Sequence, residues 1–425
     1  MGYLAWFLRQ SREPHAVRLS SVFRKLLQLE HTVIRDAEFD AEGLILDVKP
    51  RWRVPRCSDC GRRVRARYDV YRGRRWRHPD LAGMKLYLRC DLRRVSCRHC
   101  GVRVEKVPWA AAGSWFTYAF EDQVGYLTQR TDQTTVCELM RIAWATVGDI
   151  AQRVVDRHGP KNRLDGLVHI GVDELSVRRH HKYITVVVDH DRGRIVWAGE
   201  GKTADVLAGF FAELGPERCA QIRVVTLDMA KAYAKAVSEA CPQATQALDR
   251  FHVQRLVHDA LDEVRRAQVR AVTDPDDKRA LKKTRWPLQK NPWNLQDFEV
   301  QKLSLLQRAN RPLYRAYLLK EALLAVLDRC QVNVARDKLD EWCTWARRSR
   351  LAPFVKLARS IRAHTDGILA YIRTGLSNAR TEALNGKIRT LTRRAYGFHS
   401  ATALIALIHL CCSGLFLHPV RTYPK

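Results

Sequence analysis

The sequence predicts an α/β core that carries a helical insertion, preceded by a small cysteine-clipped β-domain and a helix pair. Three observations lead there. Two C-x2-C knuckles lie 36 residues apart in the first third of the chain. Short helical patterns follow, between about Tyr118 and His158. Beyond them come three β-rich stretches and then alternating helix and strand.

Composition narrows the class. The 425 residues carry 74 Lys+Arg against 45 Asp+Glu, a formal charge of +29. At roughly 100–200 residues per domain, such a chain should hold about two to four domains. With 46% apolar residues and 11 tryptophans it can bury a core, so it is not a disordered basic tail. A basic folded chain points to a polyanion, with nucleic acid ahead of a membrane surface. The longest apolar run, near Ala401–Leu410, includes Thr402 and His409 and falls short of a membrane span. Met1–Gln10 carries no small-residue cleavage site, so no secretory signal is expected. Met1-Gly2 is followed by Trp6 where myristoylation wants Ser or Thr. Most of the 12 cysteines sit singly in apolar segments, as reduced thiols do.

Four cysteines break that pattern. Cys57 and Cys60 form one knuckle, Cys97 and Cys100 the other, and each knuckle runs into a glycine. A two-residue gap lets both sulfurs face one ion, and glycine permits the tight turn. Four thiolates suit one tetrahedral zinc. A closed four-sulfur site leaves no open position, so this zinc is expected to be structural. Cys90 and His99 are alternative ligands. We assign a zinc ribbon to residues 51–110, after an N-terminal segment, 1–50, with short strands. From Arg51 to Lys106 there are 18 basic and 5 acidic residues, a net +13. Arginines interleave with Tyr68, Tyr71 and Trp76, as on a DNA-docking surface or a solvated strand face. Arg62, Arg63, Arg65, Arg74 and Arg75 are the candidate DNA contacts.

Residues 115–160 read as a helix-turn-helix. Val136, Leu139 and Met140 have helical spacing, as do Val147, Ile150, Val154 and Val155. A turn near Ile142–Ala145 separates the two helices, with Thr146 as N-cap of the second. That helix would enter a major groove, with Thr146, Gln152 and Arg153 as candidate contacts. An ordinary helical linker fits the same pattern.

The core occupies residues 165–425. Its β-rich stretches LVHIGVDELSV, KYITVVVD and RIVWAGE precede alternating helix and strand, the order of an RNase H-like fold. Asp173 falls inside the first strand and Asp228 ends the strand before a helix. A carboxylate on a covered strand is costly unless a metal or partner neutralises it. Two on neighbouring strands suit Mg²⁺ or Mn²⁺. Near the C-terminus, a helix from Thr381 sets Leu384, Ile388 and Leu391 on an apolar stripe. Glu382, Asn385 and Arg389 then share a polar face suited to metal and phosphate. An ordinary amphipathic helix, its acid near the positive N-terminus, fits equally. Between the acids, residues from about 258 to 374 read as a helical insertion containing Trp286, Trp293, Trp342 and Trp345. These tryptophans read as structural, with base stacking the alternative.

Taken in order, the knuckles, the helix pair, IGVDELS, VTLDMAKAY, LDRFHVQRL and SNARTEALNGKIRTLTRRAYGF resemble the bacterial insertion-sequence transposases of the ISL-three group. The resemblance spans nearly the whole chain, and the last motif and DRFHV are its most specific parts. It implies a DDE-type RNase H-like core whose three acids fall on Asp173, Asp228 and Glu382. It places the helix-turn-helix at about Thr131–Arg157. Two divalent ions about 3.5–4 Å apart would be held by the acids and would drive phosphoryl transfer on DNA. Asp249 and His252, in D-x2-H spacing, resemble a motif that follows the second acid in related transposases. They stand beside the site, or serve as a helix cap and a packed histidine. The implied partners are double-stranded transposon ends and target DNA, with a homodimer or larger assembly on paired ends. The implied location is the bacterial cytoplasm, associated with the nucleoid. A non-catalytic zinc and helix-turn-helix regulator with a degenerate core is the alternative. A branched-DNA nuclease is a third reading, and the large sequence-reading N-terminal third argues against it.

Overall fold

The structure is a computed structural model that describes residues 19–27, 29–178, 182–229, 231–376, 379–395 and 400–418. Positions 377–378 and 396–399 of the last sequence motif, and most of residues 1–20, lie outside them. The chain divides into two compact units, one of residues 1–157 with 416–425, the other of 158–415.

In the first unit, helix α1 (Leu19–Leu26) leads into a five-stranded sheet: β1 (Thr32–Asp40), β2 (Gly43–Pro50), β3 (Arg67–Leu81), β4 (Met84–Cys97) and β5 (Gly101–Val104). The order is β1-β2-β4-β3, with β5 also on β4. The strands of the first 50 residues are therefore part of the ribbon's own sheet: β2 pairs in parallel with β4, Leu44 opposite Leu86 and Leu46 opposite Leu88. Alternation explains the join. Leu44, Leu46 and Val48 bury one face of β2 against Trp76, Leu86, Leu88 and Leu92. A one-residue slip would turn that row to solvent.

Three helices follow: α2 (Tyr118–Arg130), α3 (Gln133–Met140) and α4 (Trp144–His158). Thr117 caps α2 and Asp132 caps α3, each accepting a backbone N–H of the first turn. Helix α4 begins at Trp144, so Thr146 lies inside its first turn and is not the cap; its N–H bonds the Ala143 carbonyl. The turn is made by Arg141, which ends α3 in the left-handed region at φ 52°. Its side chain donates to Asp80 and to the Gly83 carbonyl, on and beside the β3–β4 turn. The helix-turn-helix is thereby tied to the ribbon hairpin.

The second unit is built on a second five-stranded sheet: β6 (His169–Arg178), β7 (Lys182–Asp189), β8 (Arg194–Glu200), β9 (Val224–Leu227) and β10 (Thr245–Leu248). Its order is β10-β9-β6-β7-β8. β6, β7 and β8 pair antiparallel, while β9 and β10 run parallel to β6. Alternation divides β6. Ile170 and Val172 join Val187, Val225 and Leu227 under α5 (Ala204–Leu214) and α7 (Lys231–Ala240); the short α6 (Pro216–Cys219) lies between these two helices in the chain. Gly171 and Asp173 face the other way, toward α16 (Ala379–Arg394), and α17 (Ala401–Cys412) follows that helix.

Helices fill the chain from β10 to α16. They are α8 (Arg250–Ala271), α9 (Pro275–Lys282), α10 (Arg285–Gln289), α11 (Asp297–Ala309), α12 (Arg311–Leu327), α13 (Val332–Arg348), α14 (Ala352–Ala363) and α15 (Thr365–Thr374). They share a core of their own, around Leu261, Leu323, Trp342 and Phe354. The insertion's tryptophans divide. Trp342 is 2% exposed and donates Nε1–H to the Leu319 carbonyl. Trp286 and Trp293 are 66% and 75% exposed, which overturns the structural reading for them. No described helix is long and apolar enough to cross a membrane.

Candidate active site and DNA-binding elements

The two knuckles come together. The sulfurs of Cys57, Cys60, Cys97 and Cys100 all lie within 4.8 Å of one another, with Cys60 and Cys97 at 3.7 Å. Four sulfurs at the usual zinc distance of about 2.3 Å form a tetrahedron with edges of about 3.8 Å, so the spacing fits one zinc. Glycine is needed at both turns: Gly61 and Gly101 have φ of 71° and 74°. Backbone N–H groups of His99 and Cys100 hold the Cys97 thiol down to about 7, while desolvation and the neighbouring Cys60 and Cys57 push Cys100 up to about 12. Cys90 is no ligand; it is buried in the neighbouring core, where desolvation pushes it up to about 12. His99 instead meets Arg62.

In the second unit, the first two acids lie on adjoining chain segments. β6 and β9 pair in parallel, Ile170 with Val225 and Gly171 with Thr226, where the pairing ends. Asp173 lies two residues further along β6, and Asp228 directly follows the last residue of β9. Burial raises the Asp173 carboxyl above the usual carboxylate range, and the Asp228 charge adds to the rise. The Glu174 N–H and the Asn385 amide oppose it, at 2.7 and 2.6 Å, as does the Arg389 charge. Helix α16 therefore reaches the site through Asn385. Glu382 lies three residues before it, exposed at the helix start.

The polar face expected of α16 is corrected in one respect. Glu382 and Arg389 are exposed, but Asn385 is only 2% exposed and lies on the buried side with Thr381, Ile388 and Leu391. Its Oδ1 has no hydrogen-bond partner among the described residues. The helix can sit this close because Gly171 has no side chain: a Cβ there would meet Thr381 Oγ1 and His190 Nε2, both at 2.7 Å. Arg380 also donates to the His190 carbonyl. The three acids do not gather as tightly as the cysteines do. Among the described residues, the cysteines alone place three or more ligand-type groups within 4.8 Å.

Asp249 ends up as the N-cap of α8, accepting from the Phe251 N–H at 3.2 Å, the cap alternative seen in its sequence. His252, one turn along, is half-buried and 3.1 Å from Arg255. Burial and the Arg255 charge lower its pKa, and Asp228 is near enough to oppose them.

Three family descriptions match the chain in succession: a zinc finger of insertion-sequence transposases over residues 53–100, a helix-turn-helix domain of the ISL3 transposase family over 105–155, and an ISL3 transposase domain over 170–408. The last covers more than half of the chain. The chain belongs to the ISL3 family of transposases. It is 42% identical to the transposase for insertion sequence element IS1557 of Mycobacterium tuberculosis, across 92% of this chain and 95% of the relative. It is 28% identical to the transposase for insertion sequence element IS1001 of Bordetella parapertussis, across 84% and 88%.

The arginines that the sequence suggests as DNA contacts are placed unevenly in this transposase. Arg62, Arg63 and Arg65 are exposed, beside an exposed arm of β3 that carries Tyr68 and Tyr71. Arg74 is half-buried, donating to the Ser114 carbonyl and lying 3.4 Å over the exposed Trp115 ring. Arg75 pairs with Asp40 and Glu42. Arg153 is also committed: with Arg157 it neutralises Glu121, a fully buried carboxylate in α2 that would be costly alone. Gln152 bonds Asp156 on the surface of α4. Two residues of this transposase escaped the sequence reading. Glu174 is raised by burial and by Asp228, with Lys202 opposing. The Tyr233 hydroxyl, 2.9 Å from Thr185, is raised by burial and feels the charges of Glu174, Asp228 and Asp173. For Glu174 the only signal was its place next to Asp173.

Proposed function

We propose that this transposase binds the terminal inverted repeats of its element and catalyses metal-dependent strand cleavage and strand transfer, on an RNase H-like core. The observation that carries the reading is the buried Asp173, which feels the charge of Asp228 from the end of the adjoining strand and is held by Asn385 from the helix that bears Glu382. The strand order, with β7 antiparallel to both its neighbours and β9 and β10 parallel to β6, supports the fold.

The donor set fits hard divalent cations: two carboxylates on adjoining segments, a third on α16, and a buried amide oxygen at Asn385 without a partner among the described residues. Asp173, Asp228 and Glu382 would hold Mg²⁺ or Mn²⁺, which supply Lewis acidity for water or a DNA 3′-hydroxyl. The Asn385 amide fixes the Asp173 carboxylate in one orientation. Arg389 places positive charge where a phosphate would approach. His252, whose ring already accepts from Arg255, can offer its other ring N–H at the rim near Asp228. Arg62, Arg63 and Arg65 would dock on the DNA backbone, while Thr146 and Gln152 remain the groove candidates on α4. Joining two ends calls for at least a homodimer.

A nicking assay on end-bearing duplex tests this. Asp173→Asn should abolish Mg²⁺- or Mn²⁺-dependent cleavage and leave end binding intact. Full cleavage by that variant, or loss of binding and cleavage together, would overturn the assignment. A non-catalytic regulator would bind ends and never cut.

A further inference from the structure

We infer that the helical insertion carries a second nucleic-acid site, a basic aromatic platform for unpaired bases, spanning α9 to α11. Trp286 on α10, Trp293 in the turn that follows, and Phe298 and Leu305 on α11 all face solvent. Three aromatic rings left this open within one short basic segment offer flat faces on which bases can stack. Cations cover two of the rings: the Arg285 guanidinium lies 5.4 Å from the Trp286 centroid and Lys302 Nζ 5.0 Å from that of Phe298.

The framework under the platform is rigid. Glu299 joins the Gln296 capping box at the start of α11 and pairs with Lys290 at 2.7 Å, closing the loop that holds Trp293. Beside it, between α9 and α11, lies a cavity of about 470 Å³ lined by Leu281, Leu305 and Leu306, with Arg279, Lys283 and Lys302 and also Asp276 and Asp277 among its polar members. That volume is within the usual small-molecule range of about 300–1,000 Å³.

Charge selects the occupant. From α9 to α11, residues 275–309 hold eight basic and four acidic residues, a net +4. Lys282 and Lys283 form no ion pair among the described residues. A second copy would bring the same +4 against itself. A polyanion matches it, and the exposed rings need flat apolar faces to stack on. A duplex hides its base faces in its own stack, so an unpaired strand is the form that meets both demands. Arginine beside the rings adds cation–π attraction. The site is far along the chain from Asp173, Asp228 and Glu382 and does not depend on their role.

The test uses the full chain in EDTA, so that cleavage plays no part. The probes are a labelled unpaired oligonucleotide of mixed sequence and a fully paired duplex. The Trp286→Ala/Trp293→Ala variant should bind the unpaired strand at least tenfold more weakly, since each stacked base is worth about fivefold to 150-fold. Duplex affinity and melting temperature should stay as in the parent. An unpaired strand carrying 5-iododeoxyuridine should photo-cross-link to peptides spanning 285–302. Unchanged affinity for the unpaired strand, an equal loss on duplex, or cross-links confined to the N-terminal unit would each overturn the proposal. So would a variant whose only change is a shift from dimer to monomer.

Discussion

Gly171→Ala is the smallest change that should disturb the core. The glycine lies in regular strand, so its freedom of φ is not at issue; its missing side chain is. A Cβ would sit 2.7 Å from both Thr381 Oγ1 and His190 Nε2, about 0.7 Å inside ordinary contact. Neither neighbour can swing away. Thr381 is fully buried on α16, and His190 is 2% exposed and bonded to Thr226 at 2.6 Å. The strand and helix must therefore part, at about 1–3 kcal/mol for overpacking of this kind. In a unit of this size each kcal/mol lowers Tm by about 2–4 °C. The same movement lengthens the 2.6 Å Asn385–Asp173 bond and carries Glu382 away from the strand acids. Calorimetry should show the lower Tm, and Mn²⁺ titration a weaker fit at the acids. Thr381→Ala removes one of the two contacts and should recover part of the loss in the double variant. A Gly171→Ala protein that melts within a degree of the parent would refute the argument from close approach.

Three further outcomes follow from the geometry. Purified protein should contain about one zinc per chain, and Cys57→Ser/Cys97→Ser should lose the metal and the fold of the first unit; retained end binding would count against a structural site. Burial depresses His190 from 6.5 to about 4, so its contribution is full above pH 6.5 and is lost as pH falls toward 4. A shift of that size is worth about 3 kcal/mol, and His190→Gln should flatten the acid limb of the stability curve by a measurable part of it. At the helix-turn-helix, Arg141→Ala should lower Tm more than Arg141→Gly. Both lose the Asp80 and Gly83 contacts, but alanine keeps the left-handed strain, about 1–2 kcal/mol. Equal melting of the two would remove the backbone component.

The sequence showed the chemistry wherever it was written in local spacing. The knuckles were legible because two intervening residues and a glycine are what a shared ion needs. Asp228 was legible as the end of a short apolar strand, and Asp173 as an acid within one. What local spacing cannot encode is which side of an element is covered. Helical periodicity grouped Asn385 with Glu382 and Arg389, because the three lie within one sector of the helix. Only the approach of Thr381 to Gly171 sets the rotation that buries Asn385 and leaves its neighbours exposed. Basic residues raise the same difficulty. Arg74, Arg75 and Arg153 look like their free neighbours in sequence, yet each is held by a partner remote along the chain.

The sequence by itself determined the order of modules, the four clustered cysteines, the family and the candidate acids. These depend on residue types at short, fixed separations. Tertiary structure alone decided that the N-terminal strands complete the ribbon sheet, that Asn385 reaches Asp173, and that Trp342 is core while Trp286 and Trp293 face solvent. Those outcomes depend on strand register and on which surfaces meet, and both are set by contacts between residues far apart in the chain.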